Sequence, residues 1–158
     1  MRFFRRLNVS FKTRQIGKPV RFVELAQEIN NSMPTYVVNR ISDLLNSKDK
    51  ILRNSKILLL GVAYKKDISD MRESPAINIA ELLLNKSVQV SFYDPFVQEF
   101  SVSGNSINKE TDEKAFNNYD MILVLTPHTK FKEINFSNLK TIIFDSTGSD
   151  FIKSTERI

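Results

Sequence analysis

The chain has 158 residues with 41% hydrophobic and 26% charged, a length and balance that fit one compact globular domain with an appended element. It has no cysteine, one histidine and four glycines, which excludes disulfides, thiolate metal sites, cysteine nucleophiles and multi-histidine metal sites. Gly17, Gly61, Gly104 and Gly148 are too scattered for a Gly-rich phosphate loop, and no apolar run reaches membrane-spanning length.

Charge divides the chain. Residues 1–56 carry twelve Lys/Arg against four Asp/Glu, a net of +8, and the remainder carries a net of −3. A basic lead segment is either a solvated helix and tail or a surface that meets anionic groups. Residues 1–18 have no clean period and read as an irregular or partly helical lead-in. Pro19 suits a helix start. Phe22, Leu25, Ala26 and Ile29 come next at helical spacing. Ser32-Met33-Pro34 predicts a stop and restart. A second helix is expected over about 34–47, with Tyr36, Val37, Ile41, Leu44 and Leu45 as its apolar stripe. Such a stripe is either core or a face for another chain.

From residue 56 the period changes. Lys56–Val62 is a short continuous apolar run closed by Gly61, as expected of a buried parallel strand. A charged loop, Ala63–Glu73, leads to Ser74-Pro75, an N-cap with proline at the first helical position. Ala76, Ile77, Ile79, Ala80, Leu83 and Leu84 give that helix a wide apolar face. Further strands are expected at Val88–Tyr93, Met121–Leu125 and Thr141–Phe144. A loop is expected over 96–110, a short helix at Asp112–Asn117 and helical turns in Phe131–Leu139. Strands and helices alternating at this spacing give an α/β fold: a Rossmann-like parallel sheet with flanking helices, preceded by an N-terminal helical segment.

Ligands of such sheets bind outside the carboxyl ends of the strands. The segments there are Ala63–Glu73, Asp94-Pro95, Thr126–Thr129 and Asp145–Ser149. In the first, Lys65, Lys66 and Arg72 stand ahead of a helix N-terminus, where anions are favoured. Asp67, Asp70 and Glu73 balance them, so a self-paired surface loop is the competing reading. Asp94 is placed for a ribose contact or for a simple turn. His128 reads as a general base without a visible partner or as a structural residue. Asp145-Ser146-Thr147-Gly148 suits a turn or hydroxyl contacts to a ligand.

The run Gly61-Val62-Ala63-Tyr64-Lys65-Lys66-Asp67-Ile68-Ser69-Asp70-Met71-Arg72-Glu73-Ser74-Pro75-Ala76 resembles the signature that opens the C-terminal domain of nucleotide-sugar dehydrogenases. These are the UDP-glucose, GDP-mannose and UDP-N-acetyl-mannosamine dehydrogenases. Tyr93-Asp94-Pro95 matches too, and Arg21–Ala26 with Glu28-Ile29-Asn30 and Ser32-Met33-Pro34 resembles the end of the family's central helical region. The resemblance spans residues 7–147, and Ser32-Met33-Pro34 leans toward the UDP-N-acetyl-hexosamine, UDP-N-acetyl-mannosamine branch.

The resemblance implies a division into residues 1–50, part of a helical dimerisation segment, and 51–158, a UDP-sugar-binding Rossmann-like domain. Family members oxidise a sugar primary alcohol to a carboxylate in two NAD-dependent steps, through a cysteine thiol that precedes the central helix. The resemblance implies substrate contacts for Tyr64, Lys65 and Arg21, and a contact of Arg72 with NAD. Ser74 and Pro75 match a structural helix start. Many members carry an Arg after the fourth strand; here Asp145-Ser146-Thr147-Gly148 has none, and the tail after it is shorter than usual. The expected partners are a UDP-sugar and a second copy of the chain through the N-terminal helices, with no nucleic acid and no membrane, in the cytoplasm. With the thiol and the NAD domain outside the chain, no dehydrogenase turnover is expected of it alone. The alternative is a non-catalytic nucleotide-sugar-binding or dimerisation module.

Overall fold

The computed structural model describes residues 21–157. The expected lead-in over 1–18, the helix start at Pro19 and the packing of the Phe22 side chain lie outside what it describes. Helix α1 runs Arg21–Asn46 without interruption, and Pro34 lies inside it. The expected stop at Ser32-Met33-Pro34 is therefore corrected. Proline removes one backbone donor from a helix and costs about 3 kcal/mol in an exposed interior. Here burial anchors the helix on the far side of the proline. Pro34 is buried, and Val37, Val38, Ile41 and Leu45 enter the core. The Ser32 hydroxyl, expected as a cap, donates back to the Ile29 carbonyl at 2.8 Å.

Strand β1 is Lys56–Leu60, helix α2 is Pro75–Asn85 and strand β2 is Gln89–Tyr93. The expected loop over 96–110 holds three two-residue strands: β3 Ser101–Val102, β4 Asn105–Ser106 and β5 Asn108–Lys109. β3 and β4 form a small antiparallel hairpin, turned by Ser103 and Gly104 at positive φ, while β5 adds to the edge of the main sheet. The short helix becomes a 3₁₀ segment, Glu113–Asn118, capped by the Asp112 side chain, which accepts from the Lys114 N–H at 2.9 Å. β6 is Met121–Val124, with 3₁₀ turns after it at Thr129–Glu133 and Phe136–Asn138. β7 is Ile142–Asp145, and β8, Glu156–Arg157, is formed by the tail.

The six-stranded sheet has the order β5-β2-β1-β6-β7-β8, and every pair in it is parallel. Counted along the chain within this sheet, the order is 3-2-1-4-5-6, so it reverses between β1 and β6. Alternate residues of the central strands face opposite ways, yet both faces are buried. Ile57, Leu59, Met121, Leu123 and Phe144 point toward α1 and α2. Leu58, Leu60, Ile122, Val124 and Ile143 point toward Phe116, Phe131, Ile134, Phe136 and Ile152, which the 3₁₀ segments and the tail supply. This is why these strands read as unbroken apolar runs.

Candidate functional site

The switch point of the sheet lies where β1 and β6 part, and Gly61 sits at its centre. Its φ is +76°, and a Cβ on it would come within 2.0 Å of the Thr126 carbonyl oxygen. Only glycine satisfies both constraints. Its N–H donates to the Tyr93 carbonyl at 2.9 Å, so the chain leaves β1 still tied to β2.

Asp94, 1% exposed, ties the neighbouring loops together. One carboxylate oxygen accepts from the Val62 and Ala63 N–H groups at 2.8 and 3.2 Å, and the other from Phe96 and Val97 at 2.8 and 3.1 Å. Burial pushes this carboxyl up, but hydrogen bonds from His128 and from the Phe96 and Val62 N–H groups outweigh it and hold it below the usual carboxylate range. The turn reading of Asp94 is the one its bonds satisfy. His128 is fully buried, with Nε2 at 3.0 Å from Asp94 and Nδ1 accepting from the Asp67 N–H at 2.9 Å. It has partners the sequence did not reveal. The Thr126 hydroxyl donates to the Ala63 carbonyl at 2.7 Å. Thus the segments after β1, β2 and β6 are bonded to one another.

Above this layer stands the loop Ala63–Glu73. The Tyr64 N–H donates to the Asp70 carbonyl at 2.7 Å and closes its base. Asp67 and Glu73 both have φ of 62°, in the left-handed region that non-glycine residues seldom adopt. Ser74 accepts from the Ala76 N–H at 3.2 Å and donates to the Val62 carbonyl at 2.7 Å, so the start of α2 is both capped and tied to the segment after β1.

The four expected ligand residues are not all brought together. Tyr64 is half-buried and lines a cavity of about 630 Å³ between α1 and the start of α2. Asn30, Asn31, Pro34, Ser74 and Asn78 also face it. Lys65 and Arg72 are exposed and lie outside that lining, as does Arg21 at the described start of α1. Arg72 instead forks onto Asp70, with Nε and Nη2 at 3.0 and 2.9 Å from its two oxygens. That pairing, chiefly the side-chain hydrogen bond, lowers the Asp70 carboxyl to about 2. The self-paired reading of the loop therefore holds at Arg72–Asp70, and Lys65 and Lys66 are exposed.

At the end of β7, Asp145 is fully buried and accepts from the Thr147 N–H and hydroxyl at 2.9 and 2.7 Å and from the Ser149 N–H at 2.9 Å. Arg157 of β8 approaches it at 3.8 Å. Among the described residues, no group of three or more His, Cys, Asp or Glu is placed to hold a metal ion, and no helix is long and apolar enough to cross a membrane.

A parallel sheet in this order, with its cross-bonded loops gathered at the reversal of strand order, defines a Rossmann-like domain of the kind that binds ligands at the carboxyl edge. Comparison with known proteins goes further. The model of the UDP-glucose/GDP-mannose dehydrogenase family, UDP binding domain, matches residues 58–151, and the chain belongs to that family. It is 33% identical over 120 residues to the UDP-N-acetyl-D-mannosamine dehydrogenase of Methanococcus aeolicus, covering 76% of this chain and 26% of that protein. The structure of the UDP-N-acetyl-mannosamine dehydrogenase of Staphylococcus aureus superposes with a TM-score of 0.65 at 32% identity, over 86% of this chain and 31% of the other. That of UDP-D-ManNAc dehydrogenase from Pyrococcus horikoshii gives 0.69 at 27% identity, over 85% and 32%. The chain spans about a quarter of the length of the first of these relatives.

Proposed function

We propose that this chain is the UDP-sugar-binding part of an NAD-dependent nucleotide-sugar 6-dehydrogenase of the UDP-N-acetyl-mannosamine type. One observation carries the reading. The family's signature run lies at the switch point as a braced platform, with Tyr64 turned to a cavity and the exposed side chains of Lys65 and Lys66 in the loop that leads into α2. A diphosphate is the ligand chemistry that such cations and a helix N-terminus favour.

In this reading residues 51–158 form the nucleotide-sugar domain and residues 1–50 belong to a helical dimerisation segment. Leu25, Ile29 and Tyr36 are at least half exposed on α1 at helical spacing, which supports a homodimer through that face. Arg21, also on α1, would reach substrate, and Arg72 would leave Asp70 to meet NAD held by another part of the enzyme. A cytoplasmic setting goes with this chemistry. The 158 residues contain no cysteine, so the thiol on which a thiohemiacetal forms must come from elsewhere, and the chain alone is expected to show no turnover. That same fact favours the second reading, a nucleotide-sugar-binding or dimerisation module without catalysis.

Titration calorimetry with UDP tests the reading. The wild-type chain should release heat, and Lys65→Ala should weaken binding about tenfold, with circular dichroism unchanged. A folded wild-type chain that gives no heat with UDP overturns the proposal, and NAD reduction by this chain with any UDP-sugar overturns the expectation of inactivity.

A further inference from the structure

We propose that His128 is the positioning residue of the loop that presents Tyr64 and Lys65. The imidazole is fully buried, so it touches no substrate and cannot act as a general base upon one. Its own contacts are specific. A backbone N–H can only donate, so the 2.9 Å contact from the Asp67 N–H requires an unprotonated Nδ1. The proton of the neutral ring then sits on Nε2 and is donated to Asp94 at 3.0 Å. The two contacts fix one tautomer.

The ring is walled by Phe96 and Phe131, with centroids at 5.0 and 5.2 Å. Two carboxylates face it, and one ammonium lies against its aromatic wall. They are the Asp94 carboxylate, the Asp67 carboxylate at 3.8 Å from Nδ1, and the Lys130 ammonium, which lies over the Phe96 ring. Asp67 is held a second and third time by Thr129. Its oxygens accept from the Thr129 N–H at 2.7 Å and the Thr129 hydroxyl at 2.5 Å. A non-glycine residue in left-handed backbone needs such support.

The consequence is a fixed relay. Asp94 sets where β1 ends, through Val62 and Ala63, and His128 carries that position to Asp67, two residues beyond Lys65. Without the imidazole acceptor, the base of the loop stays bonded to Asp94 through Ala63 and Asp67 keeps Thr129, but the link from Asp67 to Asp94 is lost. Nucleotide affinity then falls because the cations are no longer held in place.

The effect on affinity rests on the nucleotide-binding reading; the effect on the loop does not. The test therefore has separate arms. Nitrogen-15 spectra of the wild-type ring at pH 7 should show the Nε2–H tautomer. His128→Phe keeps bulk and removes both polar contacts, whereas His128→Gln keeps one acceptor and one donor. In His128→Phe, exchange of the Asp67 amide should accelerate about tenfold or more, while the Ile122 and Leu123 amides stay protected. UDP affinity should fall about tenfold, and His128→Gln should restore both to within about threefold. An Nδ1–H tautomer or a charged ring in the wild type overturns the proposal, whether or not His128→Phe folds. So does unchanged Asp67 protection in a folded His128→Phe, or a failure of His128→Gln to recover it. Absence of UDP heat with the wild type overturns the nucleotide reading instead, and the exchange arm still decides the role of His128.

Discussion

Asp94 and Asp145 stand at the ends of β2 and β7, and both are buried, but they organise different amounts of structure. Asp94 accepts from the segment after β1, from its own turn and from the segment after β6. Asp145 accepts only from its own turn, with Arg157 of β8 nearby. The two glycines nearby repeat the contrast. Gly61 is pressed against the Thr126 carbonyl, whereas a Cβ on Gly148 would meet nothing within 4 Å. The lesson is that the sheet braces its switch point heavily and its far edge lightly. The braced end is the one that carries the signature loop.

Removing Asp94 should therefore have the largest effect. Asp94→Ala strands buried N–H groups and the imidazole, and should cost about 3–5 kcal/mol in urea unfolding, against about 2 kcal/mol for Asp145→Ala. Equal losses would break the comparison. Gly61→Ala combines a left-handed φ with a backbone clash and should cost about 3 kcal/mol, whereas Gly148→Ala carries only the strain, about 1 kcal/mol. Thermal unfolding of the pair measures that difference. The loss in Lys65→Ala is smaller still and falls on ligand affinity, not on stability.

The smallest effect lies beside Asp94. Burial first, and then the hydrogen bond to Glu113 at 2.9 Å, push the Tyr93 phenol up to about 12. The folded state prefers the neutral phenol. Its contribution is fully present below the ordinary tyrosine value near 10 and is lost as pH rises through about 12. Absorbance at 295 nm should show a tyrosine titrating near 12 that disappears in Tyr93→Phe. Ionisation of every tyrosine near 10 would show that the end of β2 is less closed than described.

Much of this was legible in the sequence because its signals were local. The unbroken apolar runs at 57–60, 121–124 and 142–144 announced strands buried on both faces, and Ser74-Pro75 announced the start of α2. The helix through Pro34 was not legible, because its support comes from Val37, Val38, Ile41 and Leu45 packing on the sheet, not from local preference. β8 was hidden in a polar tail and exists through pairing with β7. The relay of Asp94, His128 and Asp67 joins residues 34 and 61 positions apart, so no spacing rule reveals it. The usable signal was topological. A parallel sheet gathers the segments after its strands at one edge, and the three residues lie in three such segments.

The proposed function requires the loop after β1 to meet the nucleotide. Backbone amide NMR, recorded while UDP is titrated into the chain, tests it residue by residue. Shifts should concentrate in residues 61–74 and in the amides of Asn30, Asn31 and Asn78 around the cavity, with the Asp145–Ser149 turn little changed. Shifts centred on the far edge, at Ser149 and residues 153–157, or none at saturating UDP, would contradict it.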